Sequence, residues 1–80
     1  MIDAAQLRAA RGLLSLSQTD LAKSASVHVA TIRRLEGAAE IRGAAETLWK
    51  IESALEEAGV EFIPANDTKG PGVRLKQRQR

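Results

Sequence analysis

From Gln18 to Glu36 the apolar and small positions fall into two short helical registers with a brief link between them. Leu21 and Ala25 stand one helical turn apart, Val27 follows in the link, and Ile32 and Leu35 form an i, i+3 pair. Ala22 lies where a larger side chain would push the two helices apart. Upstream, Leu7, Ala10 and Leu14 share one stripe behind Asp3, a residue suited to cap a helix, which predicts a first helix over about 4–14. Ser17 with Asp20 three residues on has capping-box spacing and predicts a second helix over about 18–24. Ala25, Ser26 and Val27 leave room only for a tight turn. His28 then precedes a third helix over about 29–36, closed by Gly37. After a loop over 38–43, Leu48, Ile51, Leu55 and Ala58 predict a fourth helix ending at Gly59.

Beyond Gly59 the period changes. Residues 60–63 and 73–75 alternate and are β-rich, and turn residues fill the interval, so a small hairpin is expected. A two-stranded hairpin alone is marginal in water, so Phe62, Val60, Val73 and Leu75 must pack on the helices or on a second subunit. The expected fold class is mainly α, four helices followed by a short C-terminal β-hairpin. Its expected organisation is one domain: residues 1–63 form the helical part with the first β segment, and residues 64–80 form the turn, second β segment and basic tail. No internal repeat is visible.

The third helix turns His28, Val29, Ala30, Arg33 and Arg34 outward, short residues first and two guanidiniums a turn later. A helix inserted into a nucleic-acid groove has that arrangement. The net charge of +2 says less than its distribution does. Residues 1–45 carry six bases and four acids, whereas residues 46–61 carry five carboxylates against Lys50 alone. From residue 69 onward come Lys69, Arg74, Lys76, Arg78 and Arg80 with no acid. That tail reads either as a solvated, frayed end or as a basic arm along phosphates. With no cysteine, neither a disulfide framework nor a thiolate metal site is open to the chain. One histidine, no glycine-rich phosphate loop and no cluster of acids leave no catalytic residue, metal site or cofactor to expect. Short apolar runs and a start unlike a signal peptide lead to the expectation of a soluble cytoplasmic protein without a membrane partner.

Taken together, LRAARGLLSLSQTDLAKSASVHVATIRRLEG followed by TLWKIESALEEAGVEFI resembles the Cro/phage-repressor type of helix-turn-helix regulators, often called the xenobiotic-response-element (XRE) family. The likeness covers about residues 5–63 and is greatest to small bacterial members ending in a β segment like Gly59 to Ile63. It implies that Val29, Ala30 and Arg34 meet base edges, Arg34 by a bidentate pair with guanine and the other two by apolar contact. It further implies that Gln18 and His28 meet phosphate, with Arg33 beside the backbone and Lys23 and Arg42 as weaker phosphate contacts. Arg11 and Glu36 match a salt bridge between the first and third helices of similar domains. Two departures stand out. Ser26 occupies a turn position usually held by glycine, and Val29 and Ala30 stand where hydrogen-bonding residues are common, which shifts specificity toward Arg34, DNA shape and dimer spacing.

Trp49 sits one residue off the stripe of the fourth helix. It is suited either to packing on the chain's own hairpin or to a two-fold contact shared with Val60, Phe62 and Ile63. Two functions are therefore expected from different classes. One is a transcriptional regulator, a repressor or autoregulator binding double-stranded DNA as a homodimer at a pseudo-palindromic operator. The other is an antitoxin-like module whose hairpin and tail hold a protein partner and whose DNA binding is secondary.

Overall fold

In the computed structural model, which describes residues 2–38 and 43–76, each helix begins and ends where local chemistry directs it. Helix α1, Ala4–Leu13, opens on a reciprocal capping box: the Asp3 carboxylate accepts from the Gln6 N–H at 2.7 Å, and the Gln6 side chain accepts from the Asp3 N–H at 2.9 Å. Helix α2, Gln18–Ala25, opens on a second, in which Ser17 Oγ accepts from the Asp20 N–H and Asp20 accepts from the Ser17 N–H. Those bonds hold the Asp20 carboxyl below its ordinary pKa. Helix α3, Val29–Glu36, starts at His28, whose side chain makes no capping bond, so this helix entry lacks the stabilisation that Ser or Thr supplies. Helix α4, Ala45–Ala58, ends at Gly59, whose φ of 123° is open only to glycine.

The two links around α2 both use the left-handed region without glycine, Ser15 at φ 55° and Ser26 at φ 58°. For an L-residue that conformation is unfavourable by about 1–2 kcal/mol. Ser26→Gly is therefore expected to stabilise the domain by up to about 1 kcal/mol, offset in part by the greater unfolded-state entropy of glycine. Urea denaturation measures it, and a fall in the midpoint would contradict the strain argument.

The core is a single cluster. Leu7, Leu21, Ile32, Leu35, Ile51, Leu55 and Val60 are all but completely buried, with Ala10, Ala22 and Ala25 as the small residues that let the helices approach. Helix α2 packs on both α3 and α4, and α1 packs on α3. Strands β1, Val60–Ile63, and β2, Gly72–Leu75, pair antiparallel in the register Val60 with Leu75, Glu61 with Arg74, Phe62 with Val73 and Ile63 with Gly72. The hairpin packs on the helices of its own chain: β1 against α1 and α4, β2 against α1. A buried Gln6 pins it there, its amide donating to the Gly72 carbonyl at 2.8 Å and reaching the Ile63 carbonyl at 3.4 Å. In the connecting loop, Asn66 Oδ1 accepts from the N–H groups of Thr68 and Lys69, an Asx turn of the kind asparagine supplies. No helix among the described residues is long and apolar enough to cross a membrane.

Candidate nucleic-acid interface

Helix α3 is divided sharply between inside and outside. Ile32, Leu35 and Glu36 are buried, and Ala30, Arg33 and Arg34 are exposed. The division follows from eight residues whose apolar positions recur at helical spacing, so that docking Ile32 and Leu35 against α2 and α1 forces the two guanidiniums outward. Lys23 on α2 and His28 at the start of α3 are also exposed, and Lys23 adds its positive charge to the two guanidiniums on the outer surface of the motif.

Beneath that surface lies the most polar junction of the domain. Glu36, 5% exposed, accepts two hydrogen bonds from Arg11, Nε to Oε2 at 2.7 Å and the second guanidinium nitrogen to Oε1 at 3.0 Å. Gln18 Nε2 donates to the same Oε1 at 3.2 Å, and Arg8 donates to the Glu36 main-chain carbonyl. Arg11 also donates to the Leu16 carbonyl at 3.0 Å, tying the α1–α2 link into the junction. Burial pushes the Glu36 carboxyl up, but hydrogen bonds from Arg11 and Gln18 and the charges of Arg11 and Arg8 together hold it below its ordinary pKa. The hydrogen bond to Glu36 raises the Arg11 pKa in turn. The arrangement fixes α1, α2 and α3 at a common point, and so sets the angle at which α3 is presented. No buried side-chain nitrogen or oxygen among the described residues lacks a hydrogen-bond partner.

The expected site residues fall into distinct environments. Ala30 and Arg34 are exposed on α3, the Arg34 guanidinium on the side of Gly43, while Val29 is half-buried and packs partly against the core. That packing leaves only part of the Val29 side chain able to meet a base. Gln18 is half-buried because its amide is engaged with Glu36, and Arg33, Lys23 and His28 point to solvent. Arg42 lies outside the described residues, as do Arg78 and Arg80 of the tail. Trp49 is 66% exposed on α4, away from the hairpin contacts of the core. Phe62 and Ile63 are half-buried, and Phe62 rests on the core. Val60, expected at a contact between subunits, is fully enclosed by its own chain, because β1 turns this residue inward between α4 and α1. Its side chain is thus a core component and is closed to a partner.

Two contributors escape a reading of spacing alone. Arg8 reaches a main-chain carbonyl of α3, and Gln6 locks the hairpin. Each contact spans a long stretch of sequence and has no periodic signature, although the polar Gln6 beside the apolar stripe at Leu7 and Ala10 was a usable signal. Chemically, the arrangement offers a rigid cationic helix face and little else: among the described residues no group of three His, Cys, Asp or Glu side chains is placed to hold a metal ion.

Comparison with known proteins returns one family. The model of the helix-turn-helix family HTH_3, the XRE/Cro type, matches residues 7–62, which span α1 through most of β1. No curated protein matches the chain.

Proposed function

The chain belongs to the XRE/Cro-type helix-turn-helix family of DNA-binding regulators, and from that premise we propose that it is a repressor or autoregulator that binds a pseudo-palindromic operator as a homodimer. Helix α3 enters the major groove, with Arg34 pairing with a guanine and Ala30 and the exposed part of Val29 meeting thymine methyls. Arg33, Lys23, His28 and the α2 entry at Gln18 meet phosphates, the helix N-terminus favouring the anion. The observation that carries this reading is the division of α3: its apolar positions are consumed by the core, so its two exposed arginines face outward on a helix held at its C-terminal end by the Glu36 junction. Two such helices about 34 Å apart would meet successive turns of one DNA face.

The hairpin's attachment to α1 and α4 supports this function over the antitoxin-like one. In the latter, hairpin and tail take up another polypeptide, whereas here the hairpin's apolar side is engaged by its own helices.

Selection from a random duplex pool, followed by polarisation titration at several salt concentrations, tests the proposal. Affinity is expected to fall steeply with salt as phosphate contacts release counterions. Arg34→Ala should relax preference at one base pair per half-site, a loss of about 1–3 kcal/mol of discrimination, while Arg33→Ala should weaken all sequences nearly equally and lower the salt slope by about one. Salt-insensitive binding would sink the DNA reading, and equal losses from the two variants would overturn their separate roles.

A further inference from the structure

We propose that Arg8 is a positioning residue for sequence reading: it holds the last turn of α3, and with it Arg34, at the orientation in which a base pair is discriminated, without itself touching DNA. The inference rests on the DNA reading above and names the group that sharpens it. The two ends of α3 are secured differently. At its entry His28 makes no capping bond, so no cap side chain ties the first turn down. At its exit Gly37 stays in the right-handed region, φ −91° and ψ −3°, instead of the left-handed cap that glycine commonly supplies. There the Gly37 N–H donates to the Arg33 carbonyl at 3.1 Å and the Ala38 N–H to the Leu35 carbonyl at 3.4 Å. The Glu36 carbonyl, one of the final four that helix geometry leaves without an intrahelical donor, is taken by Arg8 from α1.

Arg8 and Arg11 stand at i, i+3 and so share one face of α1, and between them they grip Glu36 in two places. Arg11 takes the carboxylate, a bond that depends on the side chain at 36. Arg8 takes the main chain, whose position is the position of the helix. A charge-assisted bond of this kind is directional, so its loss lets the exit of α3 shift relative to α1 while Ile32 and Leu35 stay buried. Arg34 lies two residues before the gripped carbonyl, about 3 Å along the helix axis, and moves with it. A bidentate pair with guanine tolerates only about 0.5 Å of displacement, whereas a phosphate contact draws on charge attraction that declines slowly with distance. Base discrimination is therefore the first property to suffer. Arg8 is itself exposed, but its bond to Glu36 turns the guanidinium toward the protein.

The full chain, well below its melting temperature, is titrated with the selected duplex and with a scrambled duplex of equal length. Arg8→Met keeps the stem and removes donor and charge. It should lose about tenfold in preference for the selected sequence, hold its affinity for the scrambled one within about twofold, and keep the salt slope of the parent. Arg8→Lys, whose ammonium can still donate to the carbonyl, should regain most of the preference. Amide hydrogen exchange gives a readout without DNA: in Arg8→Met, exchange at Gly37 and Ala38 should quicken at least about fivefold while α4 stays near the parent. Parallel losses on both duplexes, with a salt slope lower by about one, would make Arg8 a phosphate contact and overturn the proposal. A lowered melting temperature with preference intact overturns it equally, since the bond is then structural alone. A parent that prefers neither duplex removes the DNA reading and this inference together, whereas a parental preference that Arg8→Met retains removes only the role of Arg8.

Discussion

Replacing Glu36 with alanine is expected to remove about 3 kcal/mol or more of folding stability, toward the lower end of the range for breaking a buried ion pair. The lower end applies because Arg11 keeps a quarter of its side chain exposed and can recover some hydration, whereas Glu36 is 5% exposed. The substitution strands more than Arg11. Gln18 loses its acceptor, and the point at which α1, α2 and α3 are held together loses its charge. A domain of this size has a total stability of only about 4–12 kcal/mol, so the variant should be partly unfolded at ordinary growth temperatures. Urea denaturation at neutral pH measures the loss, and a value under about 1 kcal/mol would mean that the junction is replaceable by water.

The same residue predicts how stability depends on pH. Glu36 has a folded pKa below its ordinary value, so its carboxylate stabilises the native state at pH values above the unfolded carboxyl pKa of about 4.3. The contribution then declines as pH falls from there through the lowered folded pKa. Glu36→Gln, which keeps the shape, should be less stable than the parent at neutral pH and should show a shallower decline in acid. Parallel acid limbs for the two proteins would remove Glu36 from the account.

Leu21→Ala is expected to be as damaging by a different route, at about 2–5 kcal/mol. Leu21 is fully buried on α2, the helix that packs on both α3 and α4, so no single neighbour can collapse into the space it leaves. The upper half of the range follows from that confinement. Leu13→Ala makes the contrast, since that side chain is 44% exposed and its loss should fall within about 0.5 kcal/mol. Melting curves of both variants check the ranking. If they melt together, the core between the two helices of the motif is looser than its burial indicates. DNA affinity of Leu21→Ala, measured well below its melting temperature, should stay near that of the parent, because the exposed face of α3 is unchanged.

The helical elements were legible because their causes are local. Asp3 and Ser17 lie within three residues of the N–H groups they cap, and Leu21, Ala25, Ile32 and Leu35 announce their faces through a period set by helix geometry. The first helix ends one residue earlier than its stripe and the second one residue later, as expected of helix ends whose last turns depend on the link that follows. The second hairpin strand extends back to Gly72, a residue that turn chemistry had assigned to the loop. Strand register draws on a partner far along the chain, and glycine carries no alternation to read.

The division at the interface has the same origin. That α3 shows Ala30, Arg33 and Arg34 to solvent follows from its own eight residues, and a reader of the sequence alone could place them there. By contrast, the half-burial of Val29, the reach of Arg8 to α3, the pinning of the hairpin by Gln6 and the enclosure of Val60 depend on how separate elements dock. Sequence by itself determined the helices, their inner faces, the pairing of Arg11 with Glu36 through family likeness, and the oddity of Trp49. Tertiary structure alone decided that Val60 belongs to the core, since periodicity is a property of one element and burial is a property of two or more brought together.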